Sequence, residues 1–402
     1  MKLVKLLSAG LSTILLVPLL ATGASAGEPG DIVARLGSGV DPAAIAAASD
    51  TTVVEPVLAS RNVWRFRSDH DAHKAADKIK KQEGVAYAEE DITGSIPEAG
   101  GRMSGWNDGE ARAVPSTEED FRTQPAVGLL DLAAAHEQTH GAGVRVAVLD
   151  TGVDPSALPF VTLDGGWDLV DDDPDPNEVA NGVDDDGDGT VDEAHGHGTH
   201  ITAIVDLAAP DVTVMPFRVL DAEGMGSSFL AAEAIWMALE QGADVINISF
   251  GAGEKSKVLE QAVKDAEDQQ VVIVAAAGNT GTDEKHYPAE FDEVIATAAL
   301  ATDGTVLAGF SSRGGWVDIS APGEHIIAPV PGGGWASWSG TSMAAPFISG
   351  QAALLLALAP DMDAEDVWKA LKEDALKVED GGKGLVQLVA SIGWVHEHYL
   401  DG

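Results

Sequence analysis

From about Phe121 onward the chain alternates continuous apolar runs with segments of helical periodicity, and few architectures accept that alternation. GVRVAVLD, VTVMPFRVL, ADVINISF and QVVIVAAAG are the strand-like runs, and SSFLAAEAIWMALEQG, KSKVLEQAVKDAEDQ and APFISGQAALLLALAP are the helix-like ones. A strand apolar at successive positions is buried on both faces, so the pattern predicts an α/β fold, a parallel sheet with helices on both sides. Reactive groups in such a sheet gather beyond the carboxyl ends of the strands. Asp150 ends the first run, and Asn279 lies just past the fourth.

A length of 402 residues predicts more than one domain. Residues 31–91 read strand, helix, strand, strand, helix, strand, the order of a small ferredoxin-like α+β layer. Lys78, Lys80 and Lys81, late in its second helical stretch, read as a solvated face favoured by the helix dipole. Between Ile92 and Ser116 the pattern gives way to Pro97, Gly100, Gly101, Gly105, Gly109 and Pro115, a linker reading. At the start, Lys2 and Lys5 precede an apolar run to about Leu20 and then Ala24-Ser25-Ala26. That is the pattern of a removable secretory leader, residues 1–26. A membrane anchor is the alternative, but polar residues, Gly10 and Pro18 interrupt the run.

The divisions are therefore 1–26 leader, 27–91 small domain, 92–120 linker and 121–402 main domain. An exported chain without cysteine must draw its stability from core burial, bound ions or kinetic trapping. Lys and Arg number 24 against 65 Asp and Glu, a formal net charge of -41, which repels nucleic acid and anionic lipid.

Three distant segments carry chemistry: VAVLDTGVD with Asp150, HGHGTH with His197 and SGTSMAAP with Ser342. A serine hydroxyl is a weak nucleophile at neutral pH and needs an imidazole to take its proton and a carboxylate to fix the imidazole's tautomer. The order Asp, His, Ser is one of the three known chain orders of this trio. Each residue has a plainer use: Ser342 as a helix N-cap, Asp150 as a turn residue, His197 as a structural or metal-binding imidazole within H-x-H-x-x-H from His195 to His200. The chain holds no H-E-x-x-H, which speaks against zinc. Asn279, in AAAGN, can form an oxyanion hole with the backbone N–H of Ser342.

Taken together, VAVLDTGVD, HGHGTH, VINISFG, VVIVAAAGN and SGTSMAAP, in that order, resemble the subtilase family of serine proteases from about Phe121 to near the C-terminus. The resemblance implies that Asp150 orients His197, that His197 acts as base and then acid, that Ser342 attacks, and that Asn279 donates to the oxyanion. It also implies that Gly224, Met225 and Gly226 and, opposite, Ser249, Phe250 and Gly251 form two edges between which a peptide adds as a strand, with Ala277 and Gly278 completing the binding set. Residues 31–91 resemble the inhibitory propeptide of the family, which implies self-cleavage in the linker. Protein or peptide substrates and the chain's own propeptide are the implied partners, and nothing in the sequence demands more than a monomer.

Asp184, Asp186, Asp188, Thr190 and Asp192, with Gly189 at the sixth place, match the opening of a calcium loop, whereas the twelfth position is His195. A structural Ca2+ is expected there, with a solvated acidic loop as the alternative. Three departures from relatives limit what the resemblance carries over, and the last of them is expected to alter packing and not chemistry. The stretch after HGTH is compact, TGTDEKHYPAEF after Asn279 is short, and Phe347 stands where many have histidine. The expected protein is a secreted serine endopeptidase made as a pre-pro-form. The competing readings are a catalytically silent binding module and a calcium-dependent surface protein.

Overall fold

The computed structural model describes residues 30–58, 61–98, 111–184 and 188–400, with nothing stated for the side chains of 55–58. The leader, Asp186 and positions 99–110 of the linker lie outside the described residues.

The main sheet runs Ile319–Pro322, Val294–Leu300, Val272–Ala276, Val245–Ile248, Arg145–Asp150, Thr213–Arg218 and Thr162–Leu163, and Trp167–Asp168 also pairs with Thr213–Arg218. All of these pairs are parallel. Successive side chains of a strand point to opposite faces, and both faces here are apolar. Val146, Val148, Val214 and Val274 join the layer of Ile201, Ile204, Met343 and Phe347, whereas Ala147, Leu149, Phe217 and Ile273 join that of Phe229, Ile235, Val258 and Val263. Helices His197–Ala208 and Thr341–Leu358 thus cover one face, and Ser228–Glu240 and Lys257–Asp268 cover the other. Each large apolar side chain so buried contributes about 1.5–3 kcal/mol. Thr341–Leu358 is long and apolar enough to span a bilayer, but 89% of it is buried, so it is a core helix. Phe347 is fully buried in it, a packing residue as expected.

The small N-terminal layer has the antiparallel strand order Thr52–Leu58, Val63–Ser68, Gly30–Leu36, Val85–Glu90, with helices Pro42–Ser49 and Ala72–Lys80. Ile32, Leu36, Phe66 and Ile79 form its core, and Lys78, Lys80 and Lys81 are exposed. Two carboxylates at the end of its last strand dock it on the main domain. Glu89 accepts from Ser256 Oγ (3.0 Å) and from the amides of Lys257 (2.7 Å) and Val258 (2.9 Å) at one helix N-terminus. Asp91 accepts from Ser228 Oγ (2.9 Å) and the Phe229 amide (3.1 Å) at another. Both place negative charge where the helix dipole and unpaired N–H groups favour it.

The described part of the linker is not free chain, which corrects the sequence reading. Thr93–Ser95 adds as a strand to Met225–Ser227, Arg112–Ala113 pairs with Gly334–Trp338, and Thr117 and Asp120 form a capping box on helix Glu118–Thr123. These strands are made by backbone pairing, which needs no apolar periodicity and so leaves no trace in composition.

Candidate active site

Asp150 is the last residue of the central strand Arg145–Asp150, and His197 is the first of helix His197–Ala208. The two meet because backbones approach closely: a methyl group on Gly198 would collide with the Gly152 carbonyl, so only glycine lets the helix start sit against the Asp150 loop. Asp150 Oδ1 accepts from the Thr151 amide (2.8 Å) and pairs with His197 Nδ1 at 2.7 Å. Asp150 and His197 are both fully buried, and the rings of His197 and Trp338 pack nearly perpendicular to each other, centroids 5.1 Å apart.

Ser342 is the second residue of helix Thr341–Leu358, whose N-cap is Gly340, so the N-cap use of this serine is excluded. Pro346 lies inside the same helix and has no N–H to give to the carbonyl four residues earlier, that of Ser342. Ser249 Oγ supplies the missing donor at 3.1 Å. Ser342 Oγ itself lies 2.8 Å from Glu98 Oε2 and 2.9 Å from the Ser249 carbonyl. Asn279 is oriented through its carbonyl, which accepts from Thr341 N (3.0 Å) and Thr341 Oγ1 (2.9 Å), leaving Nδ2 to donate to Glu98 Oε1 at 2.9 Å. Glu98 thus lies across the trio, with Oε2 3.7 Å from His197 Nε2. Its carboxylate lies beside both the Ser342 hydroxyl and the imidazole, and among the described residues His197 Nε2 has no hydrogen-bond partner.

The two edges expected to take a peptide strand are both occupied by the same segment. Met225, Gly226 and Ser227 pair antiparallel with Ser95, Gly94 and Thr93. Ile96 N donates to Gly224 O at 3.0 Å, and Ser95 and Gly251 exchange both backbone bonds at 3.0 Å. Gly224, Met225, Gly226 and Gly251 therefore contact an extended strand through their backbone. Phe250 instead turns its ring into the core, Ala277 packs with Ala298 and Val317, and Gly278 donates to Thr341 Oγ1 at 3.0 Å.

Charge is concentrated around His197. Burial opposes its protonation, but Asp150 and then Glu98 outweigh it and hold the imidazole at about 10. His200 is pushed down to about 3 by burial and by His197, and its Nε2 faces the Ile326 carbonyl at 3.2 Å. The rings of His197 and His200 are committed to different partners, and among the described residues no group of three metal-ligating side chains converges. The described members of the acidic loop also turn onto backbone amides. Asp184 accepts from Asp188 N and Gly189 N, Asp188 from Thr190 N, and Asp192 from Asn181 N and Gly182 N. Farther upstream, Asp171 pairs with Arg218.

Two functional residues escaped the sequence reading. Glu98 was hidden in the linker. Glu178 was one acid among many: its side chain accepts from Thr151 Oγ1, from Thr199 Oγ1 (2.5 Å), and from the amides of Gly196 (3.1 Å) and Gly198 (3.2 Å). It ties the Asp150 loop to the His197 helix. Burial pushes this carboxyl up to about 7 against the hydrogen bonds from Thr151 and Thr199, and Asp150 adds to the rise.

A buried carboxylate, imidazole and serine hydroxyl at the carboxyl end of a parallel sheet are the groups of a serine hydrolase. Residues 141–393 match the subtilase family, and the chain belongs to that family as a subtilisin-type serine endopeptidase. It is 36% identical over 248 residues to the intracellular serine protease of Paenibacillus polymyxa, covering 58% of this chain and 72% of that one. It is 33% identical to subtilisin DY of Bacillus licheniformis, covering 62% and 91%, and 34% identical to thermitase of Thermoactinomyces vulgaris, covering 62% and 86%. Fervidolysin from Fervidobacterium pennivorans, described as a keratinolytic enzyme related to subtilisin, shares the fold with a TM-score of 0.75 at 24% identity, over 95% of this chain and 62% of that chain.

Proposed function

We propose that Ser342 is the nucleophile of peptide-bond hydrolysis, with His197 as its base and Asp150 as the residue that orients His197. The Asp150 carboxylate holds Nδ1–H and leaves Nε2 free to take the Ser342 proton once Glu98 has withdrawn. Ser342 Oγ then attacks the substrate carbonyl, whose oxygen becomes an anion held by Asn279 Nδ2 and the Ser342 amide. His197 passes its proton to the leaving amine, and water, activated by the same imidazole, releases the acyl group from Ser342. The observation that carries this reading is the Glu98 carboxylate. An anion already bridges Ser342 Oγ and Asn279 Nδ2, beside His197, where a developing oxyanion would sit.

The same contact supports the division of the chain into a leader (1–26), propeptide (27–91), linker with the processing site (92–120) and catalytic domain (121–402). Thr93 to Glu98 occupy the substrate strand position and the oxyanion site together, so the uncut form is latent and becomes active on cleavage beyond Glu98 within the linker. The leader pattern assigns the protein to secretion, and the protease acts as a monomer on extracellular protein or peptide. A structural Ca2+ at Asp184, Asp186, Asp188, Thr190 and Asp192 rests on an all-oxygen donor set at alternate positions. The described carboxylates do not converge, so no catalytic step involves it, and its test is a melting temperature that falls on chelation.

Labelling with a fluorophosphonate tests the nucleophile. The matured protein takes one adduct on Ser342 and Ser342→Ala takes none; an adduct on Ser342→Ala, or none on a matured wild type that cleaves casein, overturns the assignment.

A further inference from the structure

The loop that follows Asn279 brings one more side chain to the cleft. Tyr287 and Ala252 exchange both backbone hydrogen bonds, at 2.8 and 2.9 Å, which pins the loop to the edge carrying Gly251. His286, next in line, slots its ring between two backbone walls. A methyl group on Gly251 would fall 2.6 Å from His286 Nε2, and one on Gly278 would fall 3.1 Å from its Cγ. Those walls are the ones a substrate meets last. Gly251 holds the backbone of the bound strand at Ser95, and Gly278 immediately precedes Asn279, whose amide donates to Glu98.

Among the described residues, His286 Nε2 is closed to solvent and has no hydrogen-bond partner. A buried polar group without a partner is costly and is rarely kept unless something completes it. Within a peptide cleft, the completing group is on the peptide. Burial pulls the imidazole down to about 4, so it is neutral at pH 7, and the Glu98 carboxylate of the bound segment acts weakly in the other direction. The loop's lysine is not available to the peptide, because Lys285 is paired with Glu290.

We propose that His286 selects a side chain bearing an oxygen acceptor, glutamine or glutamate, immediately before the bond that is cut. The imidazole N–H donates to that oxygen, whereas an apolar side chain of equal length leaves Nε2 unpaired. The inference deepens the protease reading and rests on it. A site that must hydrogen-bond its substrate discriminates against an analogue lacking the acceptor more strongly than an apolar pocket discriminates by size.

The test uses the matured enzyme and peptide p-nitroanilides differing only in the last residue: Gln, Glu, Met, Leu and Lys. Active-site titration and casein hydrolysis are run on each enzyme, so that loss of all activity, which would sink the protease reading, is distinguished from loss of selectivity. The wild type should show kcat/KM for Gln and Glu at least about tenfold above Met, the size expected of one satisfied hydrogen bond. In His286→Phe, which keeps a ring between the walls, the ratio should collapse to about one or invert, and His286→Gln, which restores an amide donor, should recover part of it. Met, Leu or Lys equal to or better than Gln and Glu in the wild type overturns the proposal. So does an active His286→Phe with an unchanged ratio.

Discussion

Glu178 offers a sharp quantitative test, because its environment fixes both the sign and the size of a pH effect. Its carboxyl stands at about 7 in the folded protein against an ordinary 4.5. Between those pH values the folded protein holds a proton that the unfolded chain has released, so stability from this group is full below pH 4.5 and falls as pH rises to about 7. The loss is about 3 kcal/mol, from about 1.4 kcal/mol for each tenfold change in proton affinity.

Glu178→Gln removes the titration and keeps the shape. Its amide oxygen can accept from Thr151, Gly196 and Gly198, which all bond Oε1, and its NH2 can donate to Thr199 Oγ1, the partner of Oε2. In a Ser342→Ala background, which prevents self-digestion, urea unfolding should find Glu178→Gln more stable than its parent by about 3 kcal/mol at pH 8. At pH 4.5 the two should lie within about 0.5 kcal/mol of each other. Glu178→Ala, which strands buried donors but also removes the titration, should lose about 2–4 kcal/mol at pH 4.5 and less by about 3 kcal/mol at pH 8. A difference between Glu178→Gln and its parent that does not change from pH 4.5 to 8 would refute the reasoning.

Three further outcomes follow from the site. Replacing Glu98 by alanine removes the partner of Ser342 Oγ and Asn279 Nδ2 while the strand Thr93–Ser95 stays paired, so self-cleavage should start sooner and the lag in the time course of casein hydrolysis should shorten; an unchanged lag means that Glu98 does not hold the site. Asn279→Ala should lower kcat by about 100- to 1,000-fold with little change in KM, and a rise in KM at constant kcat would remove it from the oxyanion site. Met343 is fully buried beside Ser342, so peroxide should act slowly but depress activity once the sulfoxide forms; full turnover after confirmed oxidation at Met343 contradicts the packing.

The sheet was legible because strands such as VIVAA and RVAVLD must be apolar on both faces, and no other arrangement buries them. Asp150, His197, Ser342 and Asn279 were legible because small residues flank each of them, and Gly198 shows why: the backbones must nearly touch. Glu98, Glu178 and His286 were not. Thr93–Ser95 is built by backbone pairing and carries no side-chain period, so the glutamate it delivers looked like linker. Glu178 looks the same as its exposed neighbours until the fold buries it. His286 looks like an ordinary loop residue until the fold brings Gly251, distant in sequence, against its ring. In the acidic loop, alternate oxygens read as ligands, and the described ones accept from the loop's own amides, a pattern that spacing alone does not reveal.

The central claim, that Ser342 is a working nucleophile held latent by the chain's own N-terminal segment, is tested most directly by intact mass. Wild type and Ser342→Ala would be expressed without residues 1–26, purified, and followed over time with calcium and with chelator. Only the wild type should lose a fragment ending beyond Glu98, within the linker, and casein hydrolysis should appear as that fragment is lost. If both proteins stay full length while folded and the wild type cleaves no casein, the cleft is permanently blocked and the account fails.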